Sequence, residues 1–91
     1  MYAIHWKKQA VNDLVKIGRH IAKDSQANAG KTIDMVEGTV VPLAVHPEIG
    51  HAGRKRGTRE LVAHENYIVI YRVVGKAVEV LRVKHAAQKL P

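Results

Sequence analysis

A chain of 91 residues with no cysteine has room for one hydrophobic core, and it excludes both disulfides and thiolate metal sites. Hydrophobic residues make up 46% but aromatics only 4%, with no Phe, so the core falls to Val, Ile, Leu and Ala, helped by Trp6 and the three tyrosines. The formal charge of +7 favours anionic partners such as nucleic acid or an acidic protein. No apolar run approaches the roughly 20 residues of a membrane span, and the N-terminus lacks a signal-peptide pattern, so a single cytoplasmic domain over 1–91 is expected.

Tyr2 to Trp6 alternates and is rich in β-formers, which predicts a short first strand. From Lys7 the period lengthens. Ala10, Val11, Leu14, Ile17, Ile21 and Ala22 recur at helical steps, with Lys8, Asn12, Asp13, Lys16, Arg19, His20 and Lys23 assigned to the opposite, polar side. Asp24-Ser25-Gln26 predicts a break and a cap, because short polar side chains compete for backbone hydrogen bonds. Ala29, Ile33, Val36, Val40 and Leu43 predict a second helix. Pro42 lacks a backbone donor and would clash with the carbonyl of Gly38, so a kink or an early end is expected there.

His46 to Thr58 contains Pro47, Gly50, Gly53 and Gly57 without apolar period, and it reads as a long loop. Arg59–Ala63, Tyr67–Val74 and Ala77–Val83 then read as an antiparallel meander, turning at His64-Glu65-Asn66 and Gly75-Lys76. The expected fold is α+β: an N-terminal strand and a two-helix hairpin packed on a small, mainly antiparallel sheet of three to four strands.

The runs Gly57-Thr58-Arg59-Glu60-Leu61-Val62, Tyr67-Ile68-Val69-Ile70-Tyr71-Arg72-Val73 and Val78-Glu79-Val80-Leu81-Arg82-Val83-Lys84-His85 resemble the C-terminal half of RelE/ParE toxins. The strand ending in Trp6, then Ala10, Asp13-Leu14 and Ile17, and His46-Pro47-Glu48-Ile49-Gly50 extend the resemblance over nearly the whole chain. It implies a toxin of a type II toxin-antitoxin module that arrests growth and is held inactive by a cognate antitoxin protein. Two targets follow from it. ParE-like toxins inhibit DNA gyrase by protein contact, whereas RelE-like toxins cleave messenger RNA on the ribosome and are enzymes.

Cleavage by 2′-hydroxyl attack needs a base, an acid and a group that stabilises the phosphorane. The RelE pattern places an Arg directly after the Tyr of the penultimate strand, where this chain has Ile68, and its two alternating lysines are missing from Arg59-Glu60-Leu61-Val62-Ala63. The histidine branch resembling YafQ is matched better, by His85-Ala86-Ala87 and by His64 before the penultimate strand, although Asn66 stands where that branch has Asp. Imidazoles titrate near neutrality and serve as acid or base. The nuclease reading therefore assigns His85, His64, Arg82 and Arg59 as the catalytic set; the structural reading makes His85 a strand-closing residue and His64 an exposed hairpin residue.

Alternation on the last strand places Val78, Val80 and Arg82 on one face, where Arg82 holds a phosphate or an acidic antitoxin group, or pairs with Glu60 or Glu79. Arg72 has the same two readings. Between glycines, Arg54, Lys55 and Arg56 with Arg59 form the strongest electrostatic feature, a nucleic-acid or partner-binding surface or simply a solvated loop. The histidines lack metal-ligand spacing, and no cofactor motif occurs. Absence of the RelE residues makes gyrase inhibition the leading expectation, with ribosome-dependent RNA cleavage as the alternative.

Overall fold

The computed structural model describes residues 1–64 and 66–86. Strand β1 (Ala3–Trp6) leads into helix α1 (Lys8–Ala22), whose regular stripe of Ala10, Leu14, Ile17 and Ile21 lies against the sheet as the period predicts. The chain reverses at Ser25. Its side-chain oxygen accepts from the Asn28 N–H at 3.1 Å and caps helix α2 (Gln26–Val40). Pro42 ends that helix rather than kinking it, since the backbone tightens into a single 3₁₀ turn over Val41–Ala44.

Five strands form one sheet in the order β1-β5-β4-β3-β2. The meander of β3 (Arg59–His64), β4 (Tyr67–Val74) and β5 (Ala77–His85) is antiparallel as expected, and Gly75 takes φ +57° at the first position of its two-residue turn. The sheet exceeds the expected three to four strands. The addition is β2 (His51–Ala52), which pairs with β3 inside the segment read as loop; two residues between glycines leave no alternation to detect. Strand β1 closes the opposite side, running parallel to β5 from Ala3↔Ala77 to Trp6↔Val80.

Both helices lie on one face. Tyr67, Val69 and Tyr71 of β4 and Val78, Val80 and Val83 of β5 meet Ala10, Val36, Val40 and Leu43 there, forming a core of aliphatic residues and tyrosines. Alternation along β5 is broken. Ile70 pairs with Arg82 but Tyr71 pairs with Val80, so Leu81 is an extra residue, and the core positions become Val78, Val80 and Val83. Arg82 is therefore out of phase with Val78 and Val80, contrary to the simple period-two reading. Among the described residues no helix is long and apolar enough to cross a membrane.

Candidate functional site

The bulge also decides what Arg82 does. Strand β1 covers the edge of β5 only as far as Val80, and beyond it the edge meets α1. Asp13 points into that gap. Its carboxylate accepts from Arg82 Nε at 2.8 Å and Nη2 at 3.0 Å and from the Val83 N–H at 2.9 Å, so one side chain satisfies an edge donor and anchors a guanidinium. Asp13 is only 9% exposed, although its helical position reads as polar surface. Burial acts to raise its pKa, but the bonds from Arg82 and the Val83 N–H prevail, and the carboxyl is held below the usual carboxylate value. Arg82 in turn is raised, chiefly by its bond to Asp13. The expected pairing of Arg82 with Glu60 or Glu79 is thus corrected to Asp13, whose position 69 residues earlier no local pattern reveals.

Arg59 has a similar structural task. Its Nη1 donates to the Gly50 carbonyl at 2.8 Å and the Glu48 carbonyl at 3.2 Å, holding the chain that enters β2. Tyr71 supports the same segment from beneath. Its buried hydroxyl donates to the Pro47 carbonyl at 2.7 Å and accepts from the Gly50 N–H at 2.9 Å; burial raises the phenol's pKa above its ordinary value, with the Gly50 bond opposing. Gly50 is required for this approach, because a Cβ there would lie 2.6 Å from the Tyr71 hydroxyl oxygen.

The loop that follows is a braced turn. Gly53 N–H donates to the Thr58 carbonyl at 2.8 Å, Thr58 hydroxyl to the Lys55 carbonyl at 2.5 Å, and Arg54 N–H to the buried Glu60 carboxylate at 3.0 Å. Gly57 turns the chain with φ +82°. These bonds consume backbone groups and leave the side chains of Arg54, Lys55 and Arg56 exposed at the tip. Arg54 and Lys55 border a groove of about 710 Å³ floored by Ile70 and Leu81, flanked by Arg72, Arg82 and Lys84, and reached by Gln9 of α1. Arg72 bonds Glu79 at 2.7 Å, and that bond is the main cause holding the Glu79 carboxyl below its ordinary pKa.

His64 and His85 both lie beside Tyr67. Each is the cross-strand partner of Tyr67, one on β3 and one on β5, with ring centroids 6.4 Å and 5.3 Å from the tyrosine ring. Tyr67 therefore stands between them. His85 lines a pocket with Tyr67 and Lys84 that His64 does not reach. Ala87, part of the terminal match to the histidine branch, and Glu65, in the β3–β4 hairpin, lie outside the described residues. Among the described residues no group of three or more His, Asp or Glu is placed to hold a metal.

Comparison with known proteins agrees with this architecture. The sequence pattern of the family described as ParE toxin of type II toxin-antitoxin system, parDE, matches residues 4–90. Over 89 residues the chain is 39% identical to the Sinorhizobium fredii protein Y4kP, whose name describes it as a toxin, covering 97% of this chain and 92% of that one. A structure of the chromosomal ParDE system from P. aeruginosa superposes with a TM-score of 0.83 at 25% identity, covering 93% of this chain and 96% of its own. The toxin-antitoxin complex RelBE2 from Mycobacterium tuberculosis shares the fold, with a TM-score of 0.61 at 22% identity, covering 92% of this chain and 96% of its own. Matched from first strand to last, the chain belongs to the ParE family of toxins of type II toxin-antitoxin systems.

Proposed function

We propose that this ParE-family toxin arrests growth by binding DNA gyrase, with the braced tip Arg54-Lys55-Arg56 and the basic sheet groove as its contact surface, and that a cognate antitoxin protein silences it. The carrying observation is how the nuclease candidates are employed. Arg82 is committed to Asp13 and Arg59 to the carbonyls of Glu48 and Gly50, while the Tyr67 ring separates His64 from His85. Guanidiniums fixed to the protein's own acceptors are poorly placed to follow a phosphorane charge as it develops. A cationic surface held by backbone bonds suits a docking contact, because little side-chain or loop freedom is lost on binding. The similar structures of a ParDE system and of a RelBE2 complex support an antitoxin partner. On this reading the protein is no enzyme, and it acts in the cytoplasm, where gyrase is.

The alternative, RNA cleavage on the ribosome, has one observation in its favour: His85 borders a pocket with Tyr67 and Lys84, so an imidazole, a phenol and an ammonium converge there. Supercoiling of relaxed plasmid by purified DNA gyrase tests the proposal. Added toxin is expected to block supercoiling or trap cleaved plasmid, and added antitoxin to restore activity. Undisturbed gyrase, together with cut transcripts on ribosomes, overturns it.

A further inference from the structure

The geometry points to a phosphate-binding pocket, adjoining the gyrase-contact groove at Arg82 and Lys84, in which Lys16 and His20 of α1 and Lys84 and His85 of β5 surround the Tyr67 hydroxyl. Its ligand is a phosphate monoester. The pocket encloses about 300 Å³ between the C-terminal half of α1 and the end of β5. That volume is at the lower end for ligand sites and suits a phosphate on a small organic group rather than a folded partner.

Charge decides the class of ligand. Asp13, the one carboxylate among the described residues that line the pocket, has both oxygens occupied by Arg82 and the Val83 N–H, so it repels an anion less than a free carboxylate would. Lys16 and His20 stand one helical turn apart on the same side of α1, facing Lys84 and His85 across the opening. His20 lies in the last turn of α1.

Tyr67 supplies the second, independent observation. It is only 7% exposed, yet among the described residues its hydroxyl has no hydrogen-bond partner. Buried tyrosine hydroxyls ordinarily find one. No fully buried side-chain polar atom among the described residues is left unsatisfied, so this hydroxyl keeps some contact with solvent, and Tyr67 lines the pocket. A phosphate oxygen entering there would accept from the hydroxyl while the lysines and imidazoles neutralise the charge.

Titration of the full-length protein with inorganic phosphate, followed by proton–nitrogen NMR at pH 6.5 and constant ionic strength, tests the site. Saturable shifts confined to residues around His20, Tyr67 and His85 are expected. Tyr67→Phe keeps the ring between the histidines and is expected to weaken binding at least fivefold, as is His20→Gln, while Lys31→Gln on α2 leaves it unchanged. Adenosine 5′-monophosphate and an oligoribonucleotide with or without a 5′-phosphate separate the sources. Tighter binding of the 5′-phosphorylated oligonucleotide than of adenosine 5′-monophosphate assigns a nucleic-acid terminus, and equal binding of these two assigns a small monoester; both uphold the pocket, whereas equal binding of the oligonucleotide with and without its 5′-phosphate overturns it. Shifts that never saturate, an unaffected Tyr67→Phe variant, or an equal loss in Lys31→Gln overturn it. None of these outcomes depends on whether gyrase is the target.

Discussion

Removing the Asp13 carboxylate is expected to be among the most damaging single changes away from the core. Asp13→Ala deletes the acceptor of three hydrogen bonds, at 2.8, 3.0 and 2.9 Å. Hydrogen bonds to charged groups contribute about 1.5–3 kcal/mol each, but the pair is unequal in burial. The Arg82 side chain is 36% exposed and recovers water, so its two bonds together count for about one, whereas Val83 N–H loses the Asp13 acceptor beside the core, at about 1–2 kcal/mol. The loss sums to about 3 kcal/mol, a drop of roughly 12–20 °C in Tm for a domain of this size. Arg82→Ala strands a carboxylate only 11% exposed and is expected to cost about 2–3 kcal/mol. The double variant should cost little more than Asp13→Ala, leaving a coupling of about 2 kcal/mol. Urea unfolding at pH 7, read by circular dichroism, measures all four corners. An Asp13→Ala variant within about 0.5 kcal/mol of the parent, or single losses that simply add, would refute the reasoning.

The lowered Asp13 pKa fixes the sign of the acid response: the folded value lies below the unfolded one, so its stabilisation is present above about pH 4 and is lost as pH falls through the folded value. Urea midpoints should therefore fall between pH 5 and 3 more steeply for the parent than for Asp13→Ala; equal slopes would place the acid sensitivity elsewhere. Tyr71→Phe leaves the Pro47 carbonyl and the Gly50 N–H without their partner, and should cost about 1–3 kcal/mol and speed amide exchange at Gly50. Gly50→Ala should destabilise comparably, through the 2.6 Å approach to the Tyr71 hydroxyl oxygen, and an unchanged melting temperature would contradict the close packing. Replacing Arg54, Lys55 and Arg56 together by Gln should raise the half-inhibitory concentration against gyrase about tenfold, near 1.4 kcal/mol, with melting unchanged, because only exposed heads are altered.

Elements set by local chemistry were legible in the sequence. Ser25 and Pro42 bound α2 through a missing or supplied hydrogen bond, and Gly75-Lys76 marks its hairpin. The sheet's edges were not. The parallel pairing of β1 with β5 joins residues more than seventy positions apart, and β2 is too short to carry a period. Asp13 was misassigned for a related reason: a helical wheel labels a carboxylate as surface, whereas here it fills a gap left where β1 stops. One extra residue, Leu81, then shifted the phase of β5 and with it the role of Arg82. For the candidate site, the cationic tip was visible as composition, while its bracing by Glu60, Thr58 and Tyr71 required the fold. The pocket formed by Lys16, His20 and Tyr67 with His85 was not foreseen, since three elements contribute to it.

The central claim is that growth stops through a bound surface and not through a cut phosphodiester. Its most direct test is growth after induction of the His64→Ala/His85→Ala variant, with antitoxin binding measured alongside to confirm that the fold is intact. Arrest equal to that of the parent is predicted. Normal growth by a variant that still binds its antitoxin would contradict the account.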